Sequence, residues 1–119
     1  MKLGEYLNAI NHTKETLLDT DDESVEKEYT PYVINRCLSY FTDTIFHVNE
    51  MNRYSNIDND QTQLFRKLYE GMYVNLIKQS IPQSVLVLAE YQYKAAFVAD
   101  HEINMTACLT ELMMHCEFK

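Results

Sequence analysis

Only two glycines and two prolines punctuate 119 residues. That scarcity constrains the fold more than any motif does. A many-stranded sheet needs frequent turns, and Gly and Pro are their strongest markers. A chain this poor in both favours helices. Apolar residues make up 46% of it, which is enough for a core and too much for a disordered tail. The expectation is an all-α fold: one small helical domain of about five helices in helix-hairpin packing.

The apolar spacing locates the helices. Leu3, Tyr6, Leu7 and Ile10 predict a short amphipathic helix over 3–11, and Leu17 and Leu18 mark one further turn before an acidic loop. Thr30-Pro31 reads as a helix start, because Thr can cap and Pro at the first helical position gives up an N–H that has no helical partner. Val33, Ile34, Cys37, Leu38 and Phe41 mark one face of the helix that follows. Thr42-Asp43 reads as the next cap. It predicts a tight corner, then a second helix through Ile45, Phe46, Val48 and Met51 to Arg53. SNIDND at 55–60 is a polar turn, with Asp58 or Asp60 as a cap.

Leu64, Phe65, Leu68, Met72, Leu76 and Ile77 predict a third long helix to Gln79, broken by Ile81-Pro82. Gly71 inside it costs about 1 kcal/mol relative to Ala. The most apolar stretch is SVLVLAEYQYKAAFVAD. Val85, Leu86, Leu88, Ala89, Tyr93, Ala96, Phe97 and Val98 fit a buried helix, although the β-branched opening also fits a strand. Asp100-His101-Glu102 punctuates it. Ile103, Met105, Ala107, Leu109, Leu112, Met113 and Met114 belong to a final helix.

Charge and chemistry narrow the function classes. The net charge is −8, which argues against the chain wrapping nucleic acid by itself. It suits a protein that leans on a more basic partner. The opening MKLGEYLNAINH lacks a continuous apolar run, so no signal peptide is expected, and no stretch approaches the length of a membrane span. Three cysteines without framework spacing read as reduced thiols. Cys108, Cys116, His101 and His115 are the candidate ion ligands, but His101, Cys108 and His115 step by seven along one helix, about 10 Å per step, too far apart to share one ion without residues from elsewhere. Cys37 lies on an apolar face and reads as a small buried hydrophobe. Asp43, His47 and Glu50 have helical spacing, but a cap and a surface partner explain them more simply than acid–base catalysis. There is no phosphate loop, nucleophile elbow or HExxH, so neither a catalytic residue, a metal site nor a cofactor is expected.

The segment NEMNR remains. Asn is a weak helix former, and Asn49 and Asn52 stand three apart beside Glu50 and Arg53. Two readings are open: a fraying helix end with Asn as cap, or a polar contact patch that Arg36 could join.

Three runs carry a further signal: KLGEYLNAIN at 2–11, DTDD at 19–22, and EYTPYVINRCLSYFTDTIFHVNEMNRY at 28–54. Together they closely resemble the clamp loader A subunit of T4-like bacteriophages, the small DNA polymerase accessory protein, over roughly residues 2–58. The resemblance implies a non-ATPase subunit of the machine that loads a sliding clamp at a primer–template junction during viral DNA replication. Its partners would be the clamp loader ATPase subunits and the sliding clamp, with primer–template DNA met only through the complex and no membrane. Its place would be the cytoplasm of an infected bacterial host. Tyr32, Asn35, Arg36 and Tyr40 match the first family motif, and Asp43, Asn49, Asn52 and Arg53 the second. The resemblance implies that these eight residues build a docking surface.

Positions 59–119 depart from the family, which generally continues with a basic, aromatic stretch. Here only Arg66-Lys67 is basic in the next dozen positions, and no Trp follows. The chain thus divides into a clamp-loader-A-like helical region over 1–58 and a divergent helical region over 59–119, which can be part of the same domain. The alternative function is a helical protein-binding regulator, with a clamp-loader-like head and an unrelated or frame-shifted tail.

Overall fold

The computed structural model describes residues 3–18, 31–54 and 60–119. Five helices follow one another: α1 (Leu3–Leu18), α2 (Pro31–Tyr54), α3 (Asp60–Asn75), α4 (Ile81–Ala95) and α5 (His101–His115), with a 3-10 turn at Lys78–Ser80 before α4. Among the described residues the only β pairing is an isolated antiparallel bridge, Leu76 to Phe118. The all-α expectation holds, and SVLVL is helical. No helix among the described residues is long and apolar enough to cross a membrane.

Each helix packs against its neighbour in sequence, and α5 closes the ring on α1. One hydrophobic core draws on all five: Ile10 and Leu17 from α1, Phe41 and Ile45 from α2, Leu64 and Met72 from α3, Val87 from α4, Leu109 and Leu112 from α5. Side chains from both sides of position 59 therefore share one core.

Several boundaries differ from those the sequence predicts, each for a local physical reason. α1 does not stop near residue 11. Thr13 is fully buried within it, and its hydroxyl donates to the Ala9 carbonyl at 2.8 Å while lying 3.4 Å from the Thr106 carbonyl of α5. A satisfied hydroxyl can occupy a core position at little cost. Leu17 is then one more buried turn of the same helix.

α2 has no corner at Thr42-Asp43. Ser39, Thr42 and Thr44 each donate a hydroxyl to the carbonyl four residues back, at 2.8, 2.9 and 2.8 Å. They bond within the helix rather than cap a new one. The buried stripe Ile34, Cys37, Leu38, Phe41, Ile45, Val48 keeps its phase through positions 42–43. A corner would have shifted it.

α3 ends at Asn75, not near Gln79. Leu76 N–H still donates to the Met72 carbonyl at 3.0 Å, but beyond it the chain pairs with the C-terminal residues: Ile77 N–H donates to the Glu117 carbonyl at 3.0 Å, and Lys119 N–H to that of Asn75 at 2.9 Å. Pro82 breaks nothing; it lies in the first turn of α4, where its missing N–H is harmless. A Cβ on Gly71 would meet only the Asn75 side-chain nitrogen at 3.5 Å, ordinary contact, so no close approach requires this glycine. Asp100 is the N-cap of α5, its carboxylate accepting from Glu102 N–H at 3.0 Å and Ile103 N–H at 3.1 Å. The polar turn at 55–60 and its proposed Asp58 cap fall largely outside the described residues, as does the acidic loop.

The largest correction concerns the most apolar stretch. α4 buries only Ser84, Val87 and Leu88. Val85 and Val98 are half-buried, Ala89 and Ala96 are exposed, and Leu86, Tyr93 and Phe97 are 66%, 71% and 73% exposed. Apolar residues of this helix extend beyond one face, and the ring of five helices covers only one side of it.

Candidate functional site

The eight residues of the expected docking surface all fall on α2. Its unbroken course decides which of them meet. Opposite the buried stripe, helical periodicity places Arg36, Ser39, Asp43, Phe46, His47 and Glu50 along the outer side, and all six are exposed. Arg36 and Asp43 are two turns apart, about 10 Å of rise, so they can address two separate groups of a partner instead of neutralising each other. Phe46, 47% exposed, supplies an apolar contact beside them.

Asn35 lies on the flank facing α1. It lines a cleft of about 350 Å³ with Ser39, Thr42 and Asp43 from α2 and Asn11 and Lys14 from α1, over a floor of Ile10 and Leu38. One ammonium, one carboxylate and two amides thus converge at its walls. The Ser39 and Thr42 hydroxyls already donate to backbone carbonyls, and no histidine lines the cleft. The arrangement can offer and accept hydrogen bonds with an extended polar segment; it holds no nucleophile paired with a base.

Tyr40 lies on the other flank, half-buried. Its ring stacks on Phe118, centroids 6.4 Å apart and planes 11° apart, and Phe41 meets the same Phe118 edge-on at 5.9 Å. Its ring faces the C-terminal residues, so Tyr40 does not share the outermost face of α2 with Arg36. Cation-over-ring contacts occur elsewhere, Arg66 over Tyr69 and Lys94 over Tyr91. Asn49 is half-buried. The side chains of Tyr32, Asn52 and Arg53 lie outside the described residues. The structure therefore groups Asn35 and Asp43 at the cleft, puts Arg36 on the outer face above it, and separates Tyr40 from them.

Asn11 and Lys14 were not expected at this site. Their signal was available: each directly follows a buried position of α1, Ile10 and Thr13, and extending that helix past residue 11 brings them beside α2. Phe118 had no local signal, since it reaches α2 only through the long-range bridge to Leu76.

The cysteines and histidines take other places. Cys37, Cys108 and Cys116 are buried and unbridged. Burial first, and the Glu111 carboxylate second, push the Cys108 thiol far above its usual range, so it stays protonated. His115 is exposed while His101 is half-buried, and among the described residues no three His, Cys, Asp or Glu side chains gather as ion ligands.

Comparisons with protein families, curated proteins and solved structures find no match to this chain.

Proposed function

We propose that this chain is a non-ATPase docking subunit of a phage sliding-clamp loader, and that the outer face of α2 is where it meets the ATPase subunits. The observation that carries the reading is the coincidence of two independent features. Most of the longest run that resembles the clamp loader A subunit, Pro31–Tyr54, forms one uninterrupted helix, and that helix buries its apolar side while presenting Arg36 and Asp43 outward. An exposed Arg is suited to this role, because its planar fork can bind a carboxylate in two places and still stack on a ring. The net charge of −8 supports contact with DNA through a more basic partner.

The test is a binding titration against the clamp loader ATPase subunits, followed by clamp-dependent ATP hydrolysis with primer–template DNA. Arg36→Ala is expected to weaken binding by on the order of 1–3 kcal/mol. Folding stability should change by no more than about 0.5 kcal/mol. Arg36→Lys should restore little, because the fork is lost. The loader role requires that the chain stimulate clamp-dependent hydrolysis. Inhibition of that hydrolysis would instead support the regulator with a clamp-loader-like head.

A further inference from the structure

Residues 117–119 cross the end of α3 and reach α2 beside the proposed docking surface. α5 ends at His115, and Cys116, buried and extended, still donates its N–H to the Leu112 carbonyl at 3.0 Å. Beyond this anchor Glu117 N–H donates to the Ser80 hydroxyl at 2.9 Å, the Glu117 carbonyl accepts from Ile77 N–H, and Lys119 N–H donates to the Asn75 carbonyl. The last two bonds flank the antiparallel pair Leu76 and Phe118. In that register the two side chains share one face, with Cα atoms roughly 4.5 Å apart. The Phe118 ring then lies on Tyr40 and Phe41 of α2.

Tyr40, Phe41 and Leu76 thus form a socket that Phe118 fills. Phe41 and Leu76 are fully buried, whereas Phe118 is half-buried and Glu117 and Lys119 are exposed. The socket is part of the core; its stopper is not. Tyr40 also borders the outer face of α2. It stands four residues after Arg36 and three before Asp43, neighbouring positions on a helix surface. A ring that adjoins the proposed partner surface is therefore covered by a residue of the chain itself.

We propose that residues 117–119 are a displaceable strap that holds this socket closed, and that an extended segment of the partner, carrying an aromatic side chain, takes their place on docking. The inference rests on the α2 reading above and adds its regulation. The seated strap shows what the socket accepts: a backbone carbonyl for Ile77 N–H, a backbone N–H for the Asn75 carbonyl, and a ring against Tyr40 and Phe41. Those are the contacts of strand addition, in which main-chain bonds hold a segment and pockets select its side chains. A partner helix has already used its backbone groups within itself and supplies only the ring.

Release strands no backbone donor at the end of α3. In a helix continued past Asn75, Ile77 N–H would donate to the Tyr73 carbonyl, four residues back. The apolar period through Leu68, Met72 and Leu76 already points that way. The end of α3 therefore has two arrangements, one set by the strap and one by its own sequence. What resists release is the Phe118 ring, which must leave apolar surroundings. One side chain thus sets the balance between closed and open.

Calorimetric titration of the full chain with the clamp loader ATPase subunits, together with hydrogen exchange at the Ile77 and Lys119 amides, tests the strap. Phe118→Ala is expected to speed exchange at both amides about tenfold, while the Leu109 amide in the core of α5 keeps its wild-type rate. It should bind the subunits about three- to tenfold more tightly, because apparent affinity scales with the open fraction. Adding Tyr40→Ala to that chain should cancel the gain. A lock gives the opposite sign within one polypeptide. Ile77 and Glu117 stand opposite each other, and such pairs have Cα atoms roughly 5.5 Å apart, within the span of a disulfide. The Ile77→Cys, Glu117→Cys chain, oxidised, should bind at least about tenfold more weakly than the same chain reduced. Cys116 beside the new bond is buried, with its thiol toward the Ser80 carbonyl. If Phe118→Ala lowers helicity, the comparison of oxidised and reduced chains decides alone. Equal affinity of those two forms, unchanged exchange in Phe118→Ala, or a well-folded Phe118→Ala that binds no more tightly than wild type overturns the strap and leaves the α2 reading, which Arg36→Ala decides. Absence of binding by every form, locked or released, overturns both.

Discussion

α2 and α4 are both amphipathic on paper, and they divide their side chains in opposite ways. α2 contains Asn, Arg, Asp, Glu and His, yet it buries Ile34, Cys37, Leu38, Phe41, Ile45 and Val48 in one stripe. α4 is the more apolar helix, yet it buries only three side chains and turns Leu86, Tyr93 and Phe97 to solvent. The difference teaches that apolar content does not set burial in a ring of five helices. The match between the apolar face and the arc that the neighbours cover does. α2 meets α1 on one flank and α3 on the other, with Phe118 filling the space at Phe41. α4 likewise has two neighbours, α3 and α5, but its sequence places apolar groups beyond the arc that two neighbours can cover.

The sharpest test of that contrast is a pair of truncations. Phe41→Ala empties a fully buried site in contact with Phe118 and should cost about 3–5 kcal/mol of unfolding free energy. Leu86→Ala removes a comparably apolar side chain from the exposed face and should stay within about 0.5 kcal/mol. Urea midpoints of the two variants that shifted equally would break the comparison.

The continuity of α2 comes next in size. Asp43→Pro places proline in the middle of a helix, where it removes a hydrogen bond and clashes with the preceding turn, at about 3 kcal/mol or more. A helical corner at Thr42-Asp43 would instead accept proline in its first turn, as α2 does at Pro31. A variant of undiminished stability would restore the corner.

A smaller effect separates two aspartates that look alike in sequence. Asp100→Ala removes the N-cap of α5 and should cost about 1 kcal/mol. Asp43→Ala lies mid-helix, removes no cap, and should be neutral or gain a few tenths of a kcal/mol from the better helix former, on the order of what propensity scales give. Thermal melts in parallel would show it, and equal losses would place a cap at both positions.

The sequence made the fold class legible, because scarce Gly and Pro and a persistent 3.6 period admit little else. It made the start of α5 legible as the break at Asp100-His101-Glu102, whereas the cap itself emerges from the two bonds that the Asp100 carboxylate accepts. The false corner in α2 was avoidable: Phe41 to Ile45 to Val48 steps by four and three, in phase with Ile34 and Leu38. Thr42 misled because a hydroxyl that caps in one context bonds back to the preceding turn in another. The early end of α3 was not legible, because it depends on Glu117 and Lys119, some forty residues away in sequence. Nor was the exposure of α4, which depends on how wide an arc α3 and α5 cover. Of the site, the outward placement of Arg36 was readable from period, whereas the cleft with Asn11 and Lys14 required α1 to extend beyond its expected end. The turn of Tyr40 toward Phe118 was another long-range event.

The outer face of α2 is the proposed partner surface, and calorimetric titration of the clamp loader ATPase subunits tests that proposal. Wild type, Arg36→Ala and Leu86→Glu would be compared at matched helicity. The account predicts that Arg36→Ala loses about 1–3 kcal/mol of binding free energy while Leu86→Glu retains wild-type affinity. Equal affinity of wild type and Arg36→Ala, or no binding by the wild type at all, would contradict it.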